Sequence, residues 1–250
     1  MNEQELCKKR LMDLSRQADM KDIVTFSDYL NLNELNIYHS IERNLYTNTK
    51  VFGGYDGAER QMIAFIPDAL MFSWEYPIRC IKITPKYPKF SEKLTHRDIL
   101  GALMNLGIER STLGDILCLN DIYYVFCNDK IFHFIIDNLE KVRHTFVDLS
   151  EEKKFIQLSS NIQLEEQYDT IASNRIDCII AKAFRLSRSE SAELLVAEKV
   201  FINGKCITNC NQACEDGAIV SVRGKSRFIF ESCNSISKKG KLRVKFSFYK

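Results

Sequence analysis

The chain has 250 residues, 45% of them apolar, which is enough material for two modest hydrophobic cores. Its net charge of +2 conceals an asymmetry. Residues 173–250 contain nine lysines and six arginines against seven acidic residues, a net +8, so the remainder carries −6. A basic C-terminal third indicates a polyanionic partner, with a solvated lysine-rich tail as the alternative.

Composition also argues against secreted and membrane proteins. The nine cysteines are odd in number and scattered through apolar segments, which is not a secreted disulfide framework. The N-terminus lacks a secretory signal, and no apolar run approaches the length that spans a bilayer. We therefore expect a cytoplasmic protein with no membrane partner.

Residues 1–75 are predicted to form a helical and hairpin segment. Apolar positions at helical spacing predict one helix over residues 1–20 and a second over residues 26–43. Two β-prone runs flank Tyr55-Asp56-Gly57, and Asp-Gly between such runs indicates a hairpin.

Residues 76–157 are predicted to be a ferredoxin-like or RRM-like domain. "YPIRCIKITPKY" is a strand, and the helix "LTHRDILGALMNLGIE" starts at Thr95 as N-cap. A hairpin about Asn120-Asp121, a helix at "KIFHFIIDNLEKV" and a last strand complete the order strand, helix, strand, strand, helix, strand. Because "IYYVFC" lacks the Lys/Arg-Gly-Phe-Gly context of RRM proteins, we expect docking or scaffolding here rather than a strong RNA face.

A polar linker is predicted over residues 158–172, followed by a C-terminal domain over residues 173–250. This domain should contain two short helices, capped by Ser173 and by Ser187, and then a small β-sheet. Asn203-Gly204 predicts a two-residue hairpin. The fold class is α+β.

The entry to the second of these helices favours an anion. Arg188 and Ser189 lie in its first turn, where unpaired backbone N–H groups and the helix dipole attract phosphate, and Arg185 is close by. Further cations are predicted beside the turns of the sheet. The last strand alternates Lys241, Arg243 and Lys245 with apolar residues, which predicts one basic face.

The C-terminal domain resembles the S-four (alpha-L) RNA-binding domain. The matching elements are Arg175-Ile176-Asp177, Ser187-Arg188-Ser189, Asn203-Gly204 and Val222-Arg223-Gly224-Lys225. Glu198 stands where that family usually has a helix-ending glycine, which supplies a left-handed turn. The predicted RNA-binding residues are Arg175, Arg185, Ser187, Arg188, Ser189, Lys199, Asn203, Gly204, Lys205, Arg223, Lys225 and Arg227.

A second resemblance covers most of the chain. "LTHRDILGALMNLGIERSTLGDI" resembles the signature of the YlmH family of bacterial ribosome-associated RNA-binding proteins. The resemblance implies a non-enzymatic RNA-binding protein that acts on the large ribosomal subunit. We expect its partners to be rRNA of that subunit, tRNA and ribosomal proteins, and we expect a monomer without a cofactor. It also implies a role in the rescue of stalled translation, holding peptidyl-tRNA while a C-terminal tail is added to the nascent chain.

Two other functions stay open from the sequence: an RNA-modifying enzyme that uses the domain for targeting, and a protein-interaction adaptor related to cell division. His96-Arg97-Asp98 imitates a kinase catalytic loop, but position 103 is leucine where that motif needs asparagine. Cys206, Cys210 and Cys214 lack zinc-site spacing, so we predict no metal and no catalytic residue.

Overall fold

A computed structural model of the chain describes residues 3–68, 72–155, 164–236 and 240–249. The chain divides into two compact units, Met1–Asn161 and Ile162–Lys250. No helix within the described residues combines the length and the apolar character needed to cross a bilayer.

The first unit begins with two helices packed on a three-stranded antiparallel sheet of order β1-β3-β2. The predicted first helix is confirmed. The second is shorter than predicted, because a capping box at Asn31 and Glu34 starts it only at Leu32. The predicted hairpin is the β2–β3 pair. The elements are α1 (Glu3–Lys21), β1 (Thr25–Phe26), α2 (Leu32–Ile41), β2 (Asn48–Phe52) and β3 (Met62–Ile66).

The middle of the chain is a five-stranded antiparallel sheet of order β5-β6-β4-β8-β7 with two helices. The predicted order strand, helix, strand, strand, helix, strand is observed, with the short β7 added before the last strand. One face of this sheet and both helices bury a common aliphatic core. The elements are β4 (Ile78–Pro85), α3 (His96–Asn105), β5 (Leu113–Leu119), β6 (Ile122–Asn128), α4 (Asp129–Asn138), β7 (Lys141–Val142) and β8 (Thr145–Glu151).

The other face of the middle sheet is covered by the loop between β2 and β3. The ring of Tyr55 lies 5.1 Å from that of Phe126 on β6, and both side chains are fully buried. Gly54 has a φ of +107°, and a Cβ there would lie 2.4 Å from the Phe126 ring. Glycine is therefore required both by the backbone angle and by the close approach.

The second unit is a six-stranded antiparallel sheet of order β11-β10-β12-β13-β14-β9 with two helices. Its core joins the helices to the large aromatic residues of β13 and β14. The elements are β9 (Leu164–Ile171), α5 (Ile176–Ala183), α6 (Arg188–Val196), β10 (Val200–Ile202), β11 (Lys205–Cys206), β12 (Ile219–Val222), β13 (Arg227–Ile236) and β14 (Leu242–Tyr249).

Two local predictions for this unit are wrong. The linker predicted over residues 158–172 contains β9, which pairs along its whole length with β14; residues 158–163 lie outside the described residues. Ser173 does not cap α5, since the N-cap is Arg175, whose side chain makes no capping hydrogen bond. The predicted capping box of Ser187 and Glu190 on α6 is confirmed.

Candidate nucleic-acid interface

The first helix of the second unit holds Arg175 in a fixed position. Its guanidinium binds both carboxylate oxygens of the buried Asp177, with Nε–Oδ1 and Nη2–Oδ2 distances of 3.0 and 2.7 Å. Burial opposes ionisation of Asp177, but hydrogen bonds from Arg175 and from the Cys178 N–H outweigh it and lower the pKa of this carboxyl. The Arg175 side chain stays 41% exposed and can still meet a ligand.

The corner between α5 and α6 is shaped by a tight helix ending. The N–H of Leu186 donates to the carbonyl of Ala181, and that of Arg185 to Lys182, which is the Schellman pattern. Arg185 takes the left-handed conformation with a φ of 55°. The chain then turns at once into α6, so that Arg185 and Arg188 flank the same exposed corner.

The start of α6 is closed by its own capping box. The Ser187 hydroxyl accepts from the Glu190 N–H at 3.2 Å and donates to the Glu190 carboxylate at 2.7 Å. Ser187 is therefore occupied as a cap, whereas Arg188 and Ser189 are exposed. Arg188 Nη2 lies 3.7 Å from the Sγ of Cys178, which joins α6 to the first turn of α5.

A second group of predicted residues lies where β10 starts and β12 ends. The Arg223 N–H donates to the carbonyl of Lys199 at 2.8 Å, so these two cations are neighbours. Lys225 Nζ lies 5.4 Å from the ring of Phe184, the residue before Arg185. Hydrogen bonds from Ser187 and, to a smaller extent, the charge of Lys225 lower the pKa of Glu190. Lys225 therefore links the β12–β13 turn to the α5–α6 corner.

The hairpin residues do not join this group. Asn203 and Gly204, with φ of 48° and 82°, form the turn at the far end of β10, roughly 13 Å along the strand from Lys199. The Asn203 side chain accepts a hydrogen bond from the Ile219 N–H at 2.9 Å and so holds the first residue of β12 beside this turn. Lys205 follows this turn, and Arg227 lies over the Tyr249 ring at 4.2 Å.

We call the basic residues that the structure brings together the basic corner. Its members are Arg175, Arg185, Arg188, Lys199, Arg223 and Lys225. In the described part of the chain, Arg175 is paired with Asp177, whereas Arg185, Arg188, Lys199 and Lys225 form no ion pair with a carboxylate.

The basic face predicted for the last strand is neutralised at Lys245. Lys245 Nζ lies 2.7 Å from Glu231 and 3.5 Å from Glu166, on the two strands beside β14. The prediction of a continuous basic face is therefore wrong at this residue. Sequence reasoning also missed Lys182, which projects into a cleft beside the basic corner together with Lys241. Its only signal was a lysine on the outer side of an otherwise buried helix.

The polar residues of the middle-domain signature hold structure together. Asp115 accepts hydrogen bonds from the Tyr55 hydroxyl at 2.7 Å and from the Arg60 N–H at 3.1 Å, and so fixes the covering loop. Asp98 caps α3 by accepting from the Thr95 N–H at 2.8 Å, so the kinase-like tripeptide is a helix start. No three His, Cys, Asp or Glu side chains in the described ranges are placed to hold a metal ion.

Fold and charge together define a class: an α+β protein with a mixed helix–sheet domain followed by a unit with an excess of basic residues, a charge balance typical of nucleic-acid-binding domains. Residues 73–156 match the family model described as "Putative RNA-binding domain in YlmH". The predicted resemblance to the YlmH family is thereby confirmed for the middle domain.

The chain is also similar to individual known proteins. The chain is 26% identical over 225 residues to "Ribosome-associated protein quality control protein P2" of Bacillus subtilis (strain 168), covering 88% of this chain and 85% of that protein. It is also similar to the solved structure of "Cell division protein ylmH from Streptococcus pneumoniae", at 22% identity and a TM-score of 0.49, over 61% of this chain and 92% of that one.

Proposed function

We propose that this chain is a cytoplasmic, non-enzymatic and monomeric protein that binds structured RNA of the large ribosomal subunit during quality control of stalled translation. The name of the Bacillus relative supports the ribosomal role. In this proposal the basic corner grips phosphates of rRNA or tRNA, and the protein holds peptidyl-tRNA while a C-terminal tail is added.

The observation that carries the proposal is the convergence of the basic corner. Six cations at the ends of two helices and in the turns beside β10 and β12 lie around one end of the second unit. Residues 162–250 contain 15 basic and ten acidic residues, a net charge of +5. Within the described ranges, Arg185, Arg188, Lys199 and Lys225 form no ion pair. Contacts of this type bind phosphate and read the shape of RNA rather than its sequence.

The middle domain is a weaker candidate for the principal RNA contact. Residues 73–156 contain twelve basic and twelve acidic residues, a net charge of zero. RRM proteins stack bases on exposed aromatic residues of the sheet, but here Phe126 is fully buried and Tyr124 is 9% exposed. We assign the main RNA contact to the second unit.

Sedimentation of cell extracts on a density gradient tests this proposal. The wild-type chain should travel with the large ribosomal subunit at low salt. The double variant Arg188→Glu with Lys225→Glu should remain among the free proteins, because both charges on the proposed RNA face are reversed. The matched control, Lys8→Glu with Lys9→Glu, reverses two exposed charges on α1 and should sediment like the wild type.

Two outcomes would contradict the proposal. A wild-type chain that stays at the top of the gradient at low salt excludes the ribosomal partner. A double variant that still travels with the large subunit shows that the basic corner is not the contact face.

A further inference from the structure

A cleft of about 370 Å³ lies beside the basic corner, between β9, α5, the start of α6 and the start of β14. It exists because β9 adds a strand to the outer edge of β14, so that the chain after β9 faces α5. The S-four resemblance begins after β9, so this strand and the cleft that it completes are additions to the resembling region.

The lining of the cleft has two chemically different parts. Its floor is apolar, formed by Ile171, Ala172, Ala181 and Leu186. Its rim carries four cations, Lys182, Arg185, Arg188 and Lys241.

One carboxylate, that of Asp169, also lines the cleft. It lies 3.3 Å from Lys182 Nζ, so this acid is already paired. The lining of the cleft therefore contains four cationic side chains and one carboxylate, and its formal charge is positive.

An apolar floor below a cationic rim fits a ligand with a flat apolar face joined to an anion. A nucleotide has this form. A free phosphate would use the rim and leave the floor empty, and a base inside a duplex cannot reach the floor because it is stacked between its neighbours. A volume near the lower end of the usual pocket range, roughly 300–1,000 Å³, admits one nucleotide rather than a run of them.

We propose that this cleft takes a single unpaired nucleotide extruded from structured RNA. The base rests on the apolar floor and against the guanidinium planes of Arg185 and Arg188, and its phosphate meets the cationic rim. This inference rests on the proposed function and adds to it a preference for RNA with a bulged or unpaired nucleotide next to a helix.

A bulged RNA provides the test. The probe is a short RNA hairpin with a single 2-aminopurine bulge, compared with the same hairpin without the bulge, at equal salt. The wild-type chain should bind the bulged hairpin at least about fivefold more tightly. The 2-aminopurine emission should also change on binding, because the base leaves its stacked neighbours.

Ala172→Leu is the blocking variant, since Ala172 lies in an exposed bend and the added side chain fills the floor without changing charge. It should lose the preference for the bulge and keep its affinity for the paired hairpin. Thr208→Leu adds an apolar side chain at an exposed site outside the cleft and should behave as the wild type. If Ala172→Leu does not fold, Lys241→Gln is the second cleft variant. It removes a cation from the rim and should weaken the preference for the bulged hairpin.

Two results would overturn the inference and leave the proposed function standing: salt-sensitive binding without preference for the bulge, or a preference that survives both cleft variants. Failure of the wild-type chain to bind either hairpin would instead overturn both.

Discussion

Replacing Glu198 by glycine should stabilise the second unit. Glu198 follows the end of α6 with a φ of 55°, in the left-handed region. Its N–H donates to the carbonyl of Leu195 and the N–H of Lys199 to that of Leu194, so α6 ends in a Schellman turn without the glycine that usually permits it.

The expected gain follows from two opposing terms. The left-handed conformation costs an L-residue roughly 1–2 kcal/mol, and glycine loses roughly 0.5–1 kcal/mol more backbone entropy on folding. The net gain is about 1 kcal/mol. For a unit of this size it raises the melting temperature by roughly 4–8 °C.

Glu198→Ala is the matched control. It removes the same carboxylate but keeps a Cβ, so it should recover only the small dipole term, a few tenths of a kcal/mol. Urea unfolding followed by far-ultraviolet circular dichroism measures both variants. Trp74, the single tryptophan, reports the first unit by fluorescence and should not change. Equal stabilisation by alanine and glycine, or none by glycine, would refute the argument from backbone strain.

Three further predictions concern the other contacts. Gly54→Ala should destabilise the first unit by about 3 kcal/mol or more in urea unfolding followed by Trp74 fluorescence, because the new Cβ would lie 2.4 Å from a phenylalanine ring. Gly101→Ala is the control and should be neutral or stabilising, because a Cβ there would meet nothing within 4 Å. Equal changes in the free energy of unfolding for the two variants would show that the close approach at Gly54 is unimportant. In a filter-binding titration, Lys225→Gln should weaken RNA binding several-fold and reduce the slope of log affinity against log salt concentration by about one. Lys245→Gln should leave the affinity unchanged, because Lys245 is already ion-paired. A larger loss for Lys245→Gln than for Lys225→Gln would place the RNA-binding face on β14. Because the pKa of Asp177 is lowered in the folded protein, this carboxylate contributes stability that is complete above the unfolded pKa of about 3.9 and is lost as pH falls through the folded pKa. In Asp177→Asn, the midpoint of urea unfolding should therefore depend less on pH below about pH 4. An unchanged pH dependence would contradict the ion pair with Arg175.

Local signals in the sequence predicted local structure well. The capping box at Ser187 depends on residues three positions apart, and the Asn203-Gly204 turn on two adjacent residues, so both were readable from the sequence. The alternation of strands and helices in the middle domain follows from hydrophobic period and turn residues.

Features that depend on distant partners were not predicted. The polar segment that contains β9 is a strand because it pairs with β14, more than seventy residues later in the chain. Lys245 reads as a surface cation until two carboxylates from neighbouring strands are placed beside it. The cleft could not be predicted from the sequence for the same reason, because the segments that form its floor and rim are brought together only by the sheet topology.

The matching family model is described as a "Putative RNA-binding domain" and covers residues 73–156, whereas we propose that the main RNA surface lies in the second unit. Ultraviolet cross-linking of the purified chain to isolated large ribosomal subunits, followed by mass spectrometry of the cross-linked peptides, separates these possibilities. We predict cross-links at the α5–α6 corner and the β12–β13 turn, around Arg188 and Lys225, that disappear at high salt. Cross-links confined to residues 73–156 would contradict the account.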